Sequence, residues 1–207
     1  MFRRRVIERV IQGNMDLEDA LWELEDRSLV YRERVIPEEE YSFKHVLTQE
    51  AVYHNIPSRH RARFHRKVAE AIEGLYRDGL DEYYEQLAFH YERSGNVEKA
   101  IGYLVKAGEK AIRSFANEAA ITHFQKGLEL LKALPDTLER ARQELDFQID
   151  LGPALIATKG YAASEVEGAY PRAAGVVPAG GRDPSALPGV AGTVGILYSA
   201  GGATKGA

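Results

Sequence analysis

Tyr83–Glu118, YYEQLAFHYERSGNVEKAIGYLVKAGEKAIRSFANE, decides the fold. It reads as a helix, a tight turn at Gly95–Asn96 and a second helix. Ala88, Ala100, Ala107 and Ala111 recur where another helix must come close, and Tyr84, Leu87, Tyr91 and Leu104 supply the bulk between them. The same logic returns downstream, where Asn117 opens EAAITHFQKGLELLKALP with Ala120 and Phe124 in the corresponding roles. A single helical hairpin cannot bury its apolar face, whereas a stack of hairpins can. Such stacks bind partners over a broad surface, so the expected class is an interaction module.

Working outward, the pattern predicts helices over Glu82–Ser94, Val97–Phe115, Asn117–Leu134 and Thr137–Thr158. Gly95 suits the left-handed position that closes a helix, and Pro135 follows a helix that cannot continue through it. Pro153 predicts a kink or break in the last helix. The two helices that begin at asparagine start 21 residues apart. That spacing departs from the roughly 34-residue period of a helix–turn–helix repeat, so the array is repeat-like only.

Upstream, Phe2–Ile11 predicts a helix with Val6, Ile7, Val10 and Ile11 on one face. Asn14 or Asp16 caps a second helix to about Arg27, with Leu17, Ala20, Leu21 and Leu24 as its buried stripe. Leu29–Val35 and Glu40–Phe43 are short β-prone runs around Pro37 and read as a hairpin or wing. Phe43–Asn55 and Ser58–Tyr76 are the next helices, separated by Pro57. Helix, helix, hairpin, helix is the order of a winged-helix module. The expected architecture is therefore mainly α: a winged-helix module over residues 1–78, helical hairpin repeats over 79–170, and an irregular tail over 171–207. Gly, Ala, Pro and Val dominate that tail, and Arg172, Arg182, Asp183 and Lys205 are its only charged residues.

The 207 residues carry a net charge of −4, which gives no general attraction to nucleic acid or to an anionic membrane surface. The absence of cysteine excludes disulfides and thiolate metal sites and leans toward the cytoplasm. MFRRRVIERVIQG lacks the apolar core of a secretory signal. No run approaches the roughly 20 apolar residues of a membrane helix. There is no GxxxxGK[ST] loop to cradle ATP.

Three stretches together resemble one family: RERVIPEEEYSFKHVLTQEAVYHNI (Arg32–Ile56), LAFHYERSGNVEKAIGYLVKAGEKA (Leu87–Ala111) and LGPALIATKGYAASEVEGAY (Leu151–Tyr170). The family comprises large bacterial signalling proteins that carry a nucleotide cyclase domain, an AAA-like ATPase of the signal-transduction class and tetratricopeptide-type repeats. The likeness covers about residues 2 to 170. It implies a fragment holding the winged-helix end of the ATPase and the first repeats, without the phosphate-binding core or the cyclase, and so no enzyme and no cofactor. ATP or ADP would be met only in the parent protein. Continuing helix is expected after Tyr170, so the tail, including VGILYSAGGATKGA (Val194–Ala207), reads as out-of-frame translation.

The resemblance implies that His45 senses nucleotide. In related ATPases a winged-helix histidine in a similar x-His-x-Leu setting reaches the ADP β-phosphate, and an imidazole can donate to phosphate. The plainer alternative is a histidine at the start of a helix. Tyr84, Tyr91 and Tyr103 are candidates for contacting a protein or small effector, their alternative being the core. The basic runs Arg3–Arg5 and Ser58–Lys67 raise DNA binding by a transcription regulator as the second functional reading. Against it, the helix in the reading position, DLEDALWELEDR (Asp16–Arg27), is acidic and would repel phosphate. His60 and His65 lie five apart, the wrong spacing for two metal ligands on one helix face.

Overall fold

The computed structural model describes residues 1–11, 13 and 16–160. The predicted tail lies outside them. The described chain is mainly α. Strand β1 (Phe2–Arg3) leads into α1 (Arg4–Ile11) and α2 (Leu17–Asp26), followed by β2 (Val30–Arg34) and β3 (Glu40–Phe43). The remainder is helical: α3 (Val46–Asn55), α4 (Ser58–Leu75), a 3-10 stretch (Arg77–Tyr83), α5 (Tyr84–Arg93), α6 (Val97–Arg113), α7 (Asn117–Leu131) and α8 (Leu138–Lys159).

Phe2 and Arg3 depart from the predicted helix. They pair antiparallel with Tyr41 and Glu40 of β3, giving a three-stranded sheet in the order β1-β3-β2. Side chains explain the override. The Phe2 ring stacks on Tyr41 with centroids 5.8 Å apart, and Arg3 Nε donates to Glu40 at 2.9 Å. Phe43 likewise belongs to β3 and not to the following helix, because it pairs with Val30. Asp16 caps α2 by accepting from the amides of Glu18 and Asp19. Leu21, Val30 and Tyr41 form a small buried cluster under this sheet, with Leu17 and Leu24 against it.

Helix α4 joins this layer to the helical stack. It packs on α1 along one side and on α5 along another. One buried cluster runs through it: Val6 of α1, Ala69, Ala71 and Ile72 of α4, then Leu87, Ala88, Tyr91, Ala100 and Leu104. Arg3 lies over the Tyr76 and Tyr83 rings, at 5.3 and 4.8 Å, and Tyr76 Oη donates to Glu38 at 2.8 Å. From α5 to α8 each helix packs on the next. The predicted alanines lie inside that packing: Ala88, Ala100, Ala107, Ala111 and Ala120 are all buried.

Two glycines allow close helix–ring contacts. A Cβ at Gly108 would overlap the Phe124 ring, and one at Gly127 would overlap the Phe147 ring. Each aromatic ring thus sits in a notch on the preceding helix, and Phe124 and Phe147 are 0% and 2% exposed. The two helix–helix turns also correspond. Asn96 N donates to Tyr91 O, and Ala116 N donates to Ala111 O. Gly95 takes φ +81° in the first turn. Phe115 takes φ +59° at the corresponding place in the second. Asn117 is therefore the first helical residue of α7 and not its cap. Ala116 holds the cap position without a side-chain bond, whereas Asn96 caps α6 by accepting from Lys99 N.

Helix α5 begins two residues later than predicted, because Arg77–Tyr83 winds as 3-10 helix with a non-helical Gly79. Helix α8 runs as one helix through Pro153, so of the kink or break that the sequence predicts the break is absent. Pro153 is exposed while Gly152 and Ala154 beside it are buried. The hydrogen bond it removes therefore lies on the solvent side, and packing of the opposite face carries the helix past it.

Candidate functional site

Two polar networks are built where α3, α4, α5 and α6 meet. The first centres on Glu73 of α4. Its carboxylate accepts from Tyr91 Oη at 2.6 Å and Tyr103 Oη at 2.6 Å. Lys99 Nζ reaches the same group at 3.0 Å. Burial raises the Glu73 pKa, but the Tyr103, Tyr91 and Lys99 donors outweigh it and hold the carboxyl below its usual value. Burial and the Glu73 acceptor push both tyrosine hydroxyls up, so they remain donors. The Tyr91 and Tyr103 rings stack with an interplanar angle of 1°, and Lys99 lies 4.5 Å above Tyr91.

This network locates the three tyrosines. Tyr91 and Tyr103 are 1% and 8% exposed. Their rings lie in the core and their hydroxyls are already bonded, so neither presents a face to a partner. Tyr84 is half-buried; it tilts against Tyr103 with Lys106 above it and lines a cavity of about 150 Å³ with Asp81, Glu85, Ala107 and Ala119.

The second network joins α3, α4 and α5. Arg93 donates to Tyr53 Oη at 3.2 Å, Tyr53 Oη lies 3.1 Å from His65 Nε2, and His65 Nδ1 lies 2.9 Å from His90 Nδ1. Arginine can only donate, so the Tyr53 hydroxyl accepts from Arg93. The Tyr53 hydroxyl and His65 Nε2 share a hydrogen bond whose direction follows the His65 tautomer. Between two neutral imidazoles one Nδ1 carries the proton and the other accepts it. Burial, His65 and Arg93 lower the His90 pKa to about 4. Burial, Arg93 and Arg61 lower that of His65. Both rings are neutral at pH 7 and act as a polar pin between helices.

His45 stands apart from both networks. It is the N-cap of α3, exposed, and makes no capping hydrogen bond. Helix α3 buries none of its residues, and Val46, Leu47 and Val52 are exposed along it. A larger cavity, about 500 Å³, opens between α1 and α4 and is lined by Glu8, Arg9, Lys67 and Glu70. Among the described residues, no group of three or more His, Asp or Glu side chains is arranged to hold a metal ion. No helix among them is long and apolar enough to cross a membrane.

Sequence reasoning reached the tyrosines and His45 but missed Glu73 and the His65–His90 pair. The signal for His65 was available: it falls four and seven residues before Ala69 and Ile72, on the buried stripe of α4. Nothing local marks Glu73, whose partners lie 18 to 30 residues away.

Comparison with known proteins adds one relative. The chain is 27% identical over 160 residues to an uncharacterized protein of Rhizobium meliloti (strain 1021), an alignment that spans 76% of this chain and 15% of the relative. No family model matches the chain, and no solved structure matches it.

Proposed function

We propose that this chain is a non-catalytic regulatory segment of a larger signal-transduction ATPase, of the cyclase-associated kind that its sequence resembles. The sheet-bearing module acts as a winged helix that relays nucleotide state. The hairpin stack acts as a tetratricopeptide-like array that docks a protein or small effector, and the setting is cytoplasmic.

The observation that carries this reading is α4, which belongs to both halves. Its buried residues share one core with α1 and with α5–α6, so a displacement of the sheet module is transmitted into the array through packed side chains. Three further features support it. The strand order β1-β3-β2 with α2 ahead of the hairpin fits a winged helix. Tyr84, Leu87, Ala88, Tyr91, Ala100 and Leu104 keep the spacing of the tetratricopeptide pattern W-x2-L-G-x2-Y…A-x3-F, with Tyr, Ala and Leu replacing Trp, Gly and Phe. His45 and the exposed apolar side chains of α3 offer an open surface for an ATPase core, where an imidazole would meet the nucleotide phosphate. The chain also spans only 15% of its relative's length.

The coding DNA on the 5′ side of Met1 tests the proposal. An in-frame GxxxxGK[ST] loop is the expected result, together with background ATP turnover by the purified 207 residues. An ATP-hydrolysing fragment, or upstream DNA without such a loop, contradicts it. The DNA-binding alternative draws on the arginines of α4. The acidic α2 in the reading position opposes it, and a gel shift lost steeply with added salt would favour it.

A further inference from the structure

Two helix ridges on this molecule are incomplete in complementary ways. On α4, Arg59, Arg63 and Arg66 are exposed and spaced i, i+4, i+7, which puts them on one line along the helix. Among the described residues none of them has an ion-pair partner; Arg63 only lies over the neighbouring Phe64 ring. Glu70, one turn further on, ends the line.

On α2, Trp22 is 67% exposed and is the chain's single tryptophan. Asp19 and Asp26 flank it at i−3 and i+4 and are exposed. The other carboxylates of that helix are matched: Glu18 with Arg4, Glu23 with Arg27 and Glu25 with Arg32. The two beside the tryptophan are not.

We propose that copies of this chain associate by laying the Asp19–Trp22–Asp26 ridge of one copy against the Arg59–Arg63–Arg66 ridge of another. Both ridges span eight residues, seven helical steps or about 10 Å of helix. Run antiparallel, they set Asp19 against Arg66, Asp26 against Arg59, and the indole face against the Arg63 guanidinium. Arginine on tryptophan is the favoured cation–π pair. A three-residue ridge buries less than the roughly 1,200 Å² of a standard stable interface. The association is therefore weak, electrostatically driven and sensitive to salt. Reciprocal use of the ridges closes a pair and one-way use builds a chain of copies. The inference stands independently of the proposed ATPase relationship.

Sedimentation equilibrium of the whole chain tests it, with Trp22 fluorescence as the local probe. At about 50 mM salt the mass rises with concentration and the Trp22 emission shifts to the blue; at about 500 mM both effects vanish. Asp19→Arg/Asp26→Arg and Arg59→Glu/Arg63→Glu/Arg66→Glu each weaken self-association about tenfold or more. Mixing the two variants restores it, because each then carries the ridge that complements the other. All five positions are exposed, and circular dichroism confirms that the variants are folded. A wild-type chain that stays monomeric at every concentration overturns the proposal. So does association that survives either charge reversal, and so does a monomer that binds duplex DNA through the arginine ridge.

Discussion

At the scale of single residues, the glycine notches and the second helix turn make the sharpest predictions. Gly108→Ala must displace a Phe124 ring that is completely buried, so it should destabilise the chain by about 1–3 kcal/mol in urea unfolding. Gly102 lies in the same helix with open space beside its Cα, and Gly102→Ala should be neutral or stabilising by helix propensity. Phe115 holds a left-handed backbone that costs a non-glycine residue, yet its ring is 88% exposed and gains nothing from burial. Phe115→Gly should therefore raise stability by about 1 kcal/mol, read as a higher melting temperature. The notches were half legible: Phe124 was recognised as bulk, but Gly108 and Gly127 were not. A helical glycine looks like a defect until its neighbour is known.

At the scale of elements, the histidine pin makes the junction of α3, α4 and α5 sensitive to pH. His90 titrates near 4 in the folded chain against about 6.5 unfolded, so the unfolded state binds more protons between those values. Stability should be fully present above about pH 6.5 and lost as the pH falls toward 4. His90→Asn should flatten that part of the profile. Asp150 of α8 acts the other way: burial, with Glu109 and Asp146, raises it to about 6. Its contribution therefore declines as the pH rises through about 4 to 6, and Asp150→Asn should add about 1 kcal/mol at pH 7 after allowance for its partial exposure. Guanidine unfolding midpoints from pH 4 to 8 check both signs. The helices themselves were legible, because alanine and aromatic spacing mark a packed face. Their ends were less so. Phe2 and Phe43 joined the sheet through pairing with Tyr41 and Val30, partners that no local window contains. Pro153 was tolerated because it falls on the wet side of α8.

At the scale of the molecule, the hairpin order and a mainly α fold could be read directly, because stacked hairpins repeat a local pattern. The polar networks could not, because they join residues far apart in sequence through packing. The account depends on α4 making the sheet module and the stack one mechanical unit. Native-state hydrogen exchange on the wild type and on Ile72→Ala tests this most directly. Ile72 is 3% exposed in the shared core, and its truncation should cost about 2–5 kcal/mol. The account predicts that amides of β3 and of α6 lose protection together and to the same degree. Loss confined to α6, with β3 unchanged, would show two independent units and contradict it.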